Sequence, residues 1–496
     1  MTDSFKVEEA TIDEIHSAMA AGTLTAEALV QGYLDRIASV DKSGPALNSI
    51  ISVNPDALAE ARALDEAYAK TGEFKGPLHG IPVVVKDQVE TKGIQTTFGS
   101  IAMDGYMPES DATAITKLKD AGAIILAKTA MPDFATSWFA FCSKIGETKN
   151  PYVLSRDPGG SSGGTAAAVA ASLGTVGVGE DTGGSIRLPA SFCNLVGVRV
   201  TPGLISRNGM SPLVVFQDTS GPMARTVKDA AILLDSMVGY DPKDEYTVAA
   251  LIAGHKGSYV DAMDTGSLAG ARLGVVRNAF GSDDDPAAAP VNSVVASALK
   301  KIEAAGATLV DIEIPDLMDH IIETSLYLTH SRSDINKFFA ARPGLPTGTL
   351  EEISAAKKYD PTLDLLEDIF EGPEKPEDDP DYYKKLAARE RFQRLVVGMV
   401  GNEQLDALIY PSVQVLPPTK EEVRAGKHAC LTFPTNTLIA SQTWMPSICV
   451  PVGFSDDGVP VGMEIVVLPY HEPDLFRLGS AFEATLKQRK APTYAP

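Results

Sequence analysis

Two serine sites lie among glycines in the first half of this 496-residue chain. One reads Gly159-Gly160-Ser161-Ser162-Gly163-Gly164, and the other Asp181-Thr182-Gly183-Gly184-Ser185, with Ser185 24 positions after Ser161. Glycines this dense weaken helix and strand and leave backbone N–H groups open to a ligand. Three chemistries use such loops. G-x-S-x-G occurs in overlapping frames on Ser161 and Ser162, but a nucleophile elbow needs a buried strand leading into the serine. Here residues 151–158 carry two prolines and read as loop, which argues against a histidine-dependent esterase. A phosphate cradle of the P-loop kind needs Gly-Lys-Ser/Thr, and no lysine follows Gly164. Adenylate-forming ligases also end their loop with a lysine, so an ATP-using ligase is a remote third class. A serine hydroxyl is also a nucleophile, but only where a base takes its proton.

The elements that must carry these residues read as alternating helix and short apolar strand. Thr11-Ile12-Asp13-Glu14 predicts a capping box. Thr25 caps a second helix, to about residue 40, with Leu29, Tyr33 and Ile37 on one face. Residues 56–70 predict a third. The run Ile81-Pro82-Val83-Val84-Val85-Lys86 predicts a buried strand with Lys86 at its tip. On its own, that lysine reads equally as a strand end facing solvent. Helix is expected over 111–121, 166–173, 225–238, 291–305 and 474–488. Strand is expected over 123–127, 271–276, 308–314, 405–410, 447–452 and 461–468. Such alternation predicts an α/β fold around a largely buried sheet. Residues 344–381, with an acidic, proline-bearing run from Glu371 to Asp381, predict a solvated excursion with short helices, either a lid or a plain surface insertion.

Composition bounds the rest. Forty-four per cent hydrophobic residues suffice for a large core, and a net charge of −22 argues against nucleic acid or an anionic membrane as partner. Four widely spaced cysteines without a C-x-x-C pair predict free, buried thiols in a reducing compartment. The first residues lack a basic region followed by an apolar one, so no signal peptide is expected, and a cytoplasmic location follows.

Across most of its length the chain resembles the amidase signature family. The resemblance is carried by GIPVVVKD at 80–87, GGSSGGTAAAVAAS at 159–172 and GEDTGGSIRLPASFCNLVG at 179–197. Weaker matches lie at 128–135, 218–226 and 446–453. The resemblance implies one α/β domain over 1–496, with a central, mostly parallel mixed sheet wrapped by helices. Within it, 1–75 form a helical N-terminal segment, 76–240 the catalytic core and 344–381 the insertion. It implies Lys86 as base, Ser161, preceded by a cis peptide bond, as proton relay, and Ser185 as nucleophile. Physical chemistry agrees: burial lowers a lysine's pKa, and a hydroxyl both accepts and donates. The N–H groups of Thr182, Gly183, Gly184 and Ser185 are expected to form the oxyanion hole. Ser162, Asp181 and Arg187 are expected to hold the loops. The two-step acyl-enzyme cycle calls for no metal or organic cofactor.

Several positions depart from the family pattern. Glu180 stands where threonine or serine is frequent, Asn194 replaces a usual glycine, Arg199-Val200 replace Lys-Pro, and Phe216-Gln217 replace Ser-Leu. The apolar stretch with Met131, Phe134, Trp138, Phe139 and Phe141, joined by Phe216 and Trp444, reads as core or as a pocket wall. As a wall it suits a hydrophobic amide, anilide or aryl carbamate (urethane), and possible ester cleavage. The partners expected are then that small-molecule substrate, no nucleic acid, no membrane, and at most a second copy of the chain: a monomer or homodimer. The alternative is the glutamine-hydrolysing catalytic subunit of a tRNA-dependent amidotransferase.

Overall fold

The computed structural model describes residues 5–254, 257–263 and 267–496. Among these, eleven strands form one mixed sheet, with helices between most of them in the chain. Side by side they run Ile50–Val53, Ile124–Thr129, Pro82–Lys86, Val176–Asp181, Thr219–Ala224, Val196–Arg199, Ser447–Phe454, Pro460–Val466, Ala407–Pro411, Arg272–Val276 and Thr308–Ile312.

The α/β class and the large sheet are as the sequence implies. The expected preponderance of parallel pairing is not. Six of the ten neighbouring pairs are antiparallel, against four parallel. The difference arises in the middle of the sheet. Val176–Asp181, Val196–Arg199 and Thr219–Ala224 carry glycines and short apolar runs that read as loop, and Thr219–Ala224 lies between the other two and pairs antiparallel with each. Close strand contact is what those glycines permit: a Cβ on Gly221 would lie 2.1 Å from the Val198 carbonyl oxygen.

Helix placement follows local chemistry. Thr11 and Glu14 exchange both capping-box bonds at the start of Ile12–Ala20. Thr25 caps Ala26–Arg36, whose Leu29 and Tyr33 are buried. The helix Gly163–Ala170 is buried on every side, so its small residues are a packing requirement: a Cβ on Gly164 would meet the backbone of Ala130 at 2.4 Å. The four cysteines are free and buried. No helix among the described residues is long and apolar enough to cross a membrane.

The acidic excursion is more embedded than its composition implies. Its helices Leu350–Ala356 and Asp364–Phe370 bury Leu350, Ile353, Leu365, Leu366 and Ile369. These side chains join an aromatic cluster that includes Phe134, Trp138 and Phe339. The polar residues face outward and the leucines pack inward, which a charge count over the segment conceals.

Gly221→Ala should destabilise the protein by at least about 2 kcal/mol, because the clash is with backbone of the neighbouring strand. Thermal melting against the parent checks this.

Candidate active site

Two strand ends and the loop after one of them converge beside the buried helix. The strand Pro82–Lys86 delivers Lys86, Val176–Asp181 delivers Glu180 and Asp181, and the loop after it carries Thr182 to Ser185. Lys86, Ser161 and Ser162 are fully buried, and Ser185 is 3% exposed. The strand-end lysine therefore points inward.

Lys86 Nζ lies 2.8 Å from Ser161 Oγ, 3.2 Å from the Glu180 carbonyl oxygen and 3.1 Å from Glu180 Oε2. Burial pushes the Lys86 amine below the usual lysine range, while the Glu180 carboxylate draws it back up. The Gly160–Ser161 peptide bond is cis. Around it a Cβ on Gly160 would touch the Ser137 carbonyl oxygen at 2.7 Å. Ser162 fastens the two serine loops together. Its N–H donates to the Ser185 carbonyl at 3.0 Å, and its hydroxyl bridges the N–H and carbonyl of Glu180, each at 3.2 Å. Among the described residues no hydrogen bond joins the Ser161 and Ser185 hydroxyls directly.

The loop from Thr182 to Ser185 has two chemically different faces. Every carbonyl is held: Thr182 O by Gln217 Nε2 at 2.6 Å, Gly183 O by Thr437 Oγ1 at 2.7 Å, Gly184 O by the Leu188 N–H at 2.8 Å, and Ser185 O by the Ser162 N–H. The N–H groups of Gly183, Gly184 and Ser185 find no protein acceptor among the described residues. Buried donors left open beside a serine are what an oxyanion requires. Only glycine fits two of these positions. A Cβ on Gly183 would lie 1.9 Å from the Tyr327 hydroxyl, and one on Gly184 1.9 Å from Thr437 Oγ1, with Gly184 at φ +142°.

Asp181 anchors this loop. Its carboxylate accepts from the Ile186 N–H, from Arg187 Nε and Nη2, each at 3.1 Å, and from Arg199 Nη1 at 2.9 Å. Burial alone would raise the carboxyl pKa, but the two guanidiniums overcome it and hold it at about 2. Arg187 reaches on to Glu464 at 2.6 Å, the Thr437 carbonyl at 2.9 Å and Ser441 Oγ at 2.7 Å. One arginine thus ties the loop to the C-terminal half of the sheet.

The aromatic residues named from sequence separate into three places. Trp138 and Ser185 both line a space of about 10 Å³, with Ala135, Ser137, Leu213, Tyr327, Leu365 and Cys430. Met131 and Phe134 do not line it; they are buried, and Phe134 packs edge-on against Phe339 in the core. Phe216 and Trp444 form part of a separate cavity of about 770 Å³ with Tyr246, Gln393 and Tyr470. A stretch of alternating aromatics cannot reveal which ring faces which cavity. Sequence reasoning missed Tyr327, Leu365, Thr437 and Glu464, which come from distant segments. It registered Glu180, Arg199 and Gln217 only as departures from a pattern, and all three touch the site.

Known proteins agree with this geometry at the level of family. A family model described as Amidase matches residues 28–476. The chain is 35% identical to a glutamyl-tRNA(Gln) amidotransferase subunit of Acidothermus cellulolyticus, over 97% of this chain and 95% of that one. It is 34% identical to the corresponding subunit of Thermosynechococcus vestitus, over 96% and 97%. Among solved structures, the native peptide amidase of Stenotrophomonas maltophilia superposes with a TM-score of 0.87 at 32% identity, covering 99% of both chains. The corresponding amidotransferase subunit of Thermotoga maritima superposes with a TM-score of 0.77 at 27% identity, covering 98% of this chain and 99% of that one. These relatives correct one expectation. Surface charge and aromatic content point to a solitary monomer or homodimer, with a small-molecule substrate and no nucleic acid. The curated relatives are instead each one subunit of an enzyme named for a tRNA. Net charge reports the average surface, and one member of an assembly need not itself present a basic face.

Asp181→Asn should destabilise the fold by about 3–5 kcal/mol, since it strands two buried guanidiniums. In the parent the sign follows from a folded pKa of about 2 against roughly 3.9 unfolded. The stabilisation is complete above about pH 4 and is lost as pH falls towards 2. Unfolding of parent and variant across that range measures it.

Proposed function

The chain belongs to the amidase signature family, whose members act on C–N bonds, and we propose that it cleaves an amide through an acyl-enzyme on Ser185. The single observation supporting this is the contact of 2.8 Å between a fully buried lysine amine and Ser161 Oγ, beside a loop with open amides. In this mechanism Ser161 takes the Ser185 proton and passes its own to Lys86. Ser185 Oγ bonds to the carbonyl carbon, and the oxyanion is received by the N–H groups of the 183–185 loop. The proton returns through Ser161 to the leaving nitrogen as the C–N bond breaks. Water then repeats the steps on the acyl-enzyme. Substrate binding must bring the two serine hydroxyls into contact, a tightening common in such sites. Residues 1–496 act as one catalytic unit, with 344–381 forming the cover that places Leu365 over Ser185.

Two readings of the substrate have support. The names of the curated relatives support glutamine as nitrogen donor, with the chain as the hydrolysing subunit of a tRNA-dependent amidotransferase. The lining of the space at Ser185 supports a second reading. Trp138, Leu213, Tyr327, Leu365 and Cys430 contribute no formal charge with which to bind the ammonium and carboxylate of free glutamine. An apolar acyl group, as in a hydrophobic amide, an anilide or an aryl carbamate, suits walls of that chemistry, though at about 10 Å³ the space holds one water at most and the walls must part to admit it.

Lys86→Ala and Ser185→Ala should each lower turnover at least roughly a thousandfold while circular dichroism is unchanged. A fluorophosphonate should label Ser185. Ammonia release from glutamine, dependent on added partner subunits, supports the first substrate reading. Cleavage of p-nitroanilides or aryl carbamates by the chain alone supports the second. Full activity in Ser185→Ala overturns both.

A further inference from the structure

Lys86 Nζ touches three acceptors, a hydroxyl, a carbonyl and a carboxylate. That is the complement of a charged ammonium, which has three hydrogens to donate and no lone pair. To serve as a base the amine must first lose one of them. Of the three acceptors only Glu180 Oε2, at 3.1 Å, can bind a proton near neutral pH.

The carboxylate does not stand alone. The Thr182 hydroxyl lies 3.1 Å from Glu180 Oε1 and 2.6 Å from Asp218 Oδ1. A hydroxyl carries one hydrogen, so it can donate to only one of two carboxylates. The other contact is a hydrogen bond only if a carboxyl holds a proton. Lys86, Glu180, Thr182 and Asp218 thus form a connected chain of contacts, and a proton on one of its two carboxyls makes every link a hydrogen bond. Its far end, Asp218, borders a different cavity, of about 310 Å³, shared with Arg207, Ser211, Asp334 and the exposed Lys337.

We propose that Glu180, acting through Lys86, is a positioning residue that takes the lysine's proton and so leaves a neutral amine facing Ser161. The Nζ–H bond breaks, an Oε2–H bond forms, and an ion pair becomes a neutral pair with no proton lost to solvent. Thr182 and Asp218 extend the chain towards the second cavity. This rests on the reading of Ser185 as nucleophile.

The surroundings favour a neutral pair. Both partners are fully buried, where separated charge is costly. Burial drives the Lys86 amine down and the Glu180 carboxyl up, and it raises Asp218 further, with Glu180's charge adding to it. The remaining charges nearby are already paired. Asp181 is held by Arg187 and Arg199, and Asp87, next to Lys86, faces Lys128 at 3.5 Å. Among the described residues neither Asp181 nor Asp87 lies within hydrogen-bond distance of Lys86 Nζ, so Glu180 is the carboxylate placed to take its proton.

The test is the rate at which a fluorophosphonate labels Ser185, measured against pH in the parent and in Glu180→Gln. With Glu180 in place the neutral amine forms internally, so labelling persists into acid. Without it Lys86 must release its proton to bulk water. The acid limb should then move up by about one pH unit or more, labelling near pH 6 should fall at least roughly tenfold, and the parent rate should return at alkaline pH. An unmoved limb overturns the proposal. So does a downward shift, which loss of a nearby negative charge alone would give, or a failure to recover at alkaline pH, which marks a merely structural role. Should Glu180→Gln not fold, Glu180→Ser is expected to show the same upward shift and is judged the same way. A parent that takes no label at Ser185 refutes the nucleophile reading, and this proposal with it. A labelled parent with an unshifted variant refutes this proposal alone.

Discussion

A cation buried without water must either face an anion or give up its proton, and the centre of this molecule is arranged around that constraint. Lys86, Arg187 and Arg199 are fully buried within one region of the sheet. So are Glu180, Asp181, Asp218 and Glu464. The two arginines cannot be deprotonated, and both are directed at Asp181, with Arg187 also reaching Glu464. Lysine is the one cation of the set with a titratable amine, and it is the one in contact with Ser161. The arginines hold the loop that bears the oxyanion donors, and the lysine is left with the chemistry.

The same division explains the sheet. A site built from strand ends needs those ends close together and at fixed register. Antiparallel pairing of Val176–Asp181 with Thr219–Ala224 sets Asp181 opposite Thr219, directly after Asp218. Parallel pairing of Pro82–Lys86 with the same strand sets Val85 opposite Val178, one residue before Lys86 and two before Glu180. Lys86, Glu180 and Asp218 are thus brought together by strand register.

How much of this was legible in the sequence depended on what kind of signal each part leaves. Strands such as Arg272–Val276 and Ser447–Phe454 are rich in β-branched and apolar residues, and most helices carry a cap or a periodic face, so local chemistry reveals them. Strands such as Val176–Asp181 hold glycines because neighbouring atoms leave no space for a Cβ, as at Gly177, and glycine reads locally as loop. Lys86, Ser161 and Ser185 were legible through motif and resemblance, and the contact of Lys86 with Ser161 is now on view. Thr437, Glu464 and Tyr327 were not, because each reaches the loop from more than a hundred residues away and leaves no mark beside the motif.

Glu180 shows why a departure from a pattern carries information that the pattern does not. A serine or threonine in its place could accept one hydrogen bond from the lysine and would leave the charge of an ammonium unmatched. A carboxylate matches that charge, which by itself would hold the lysine protonated and idle. The geometry resolves this opposition because the carboxylate is itself connected, through Thr182, to a second acid. An isolated buried ion pair is a fixed object, whereas a pair joined to a chain with a spare hydrogen can exist in more than one protonation state at little cost. The residue that looks least suited to a lysine base on electrostatic grounds is therefore the one in direct contact with it that can relieve it of its proton.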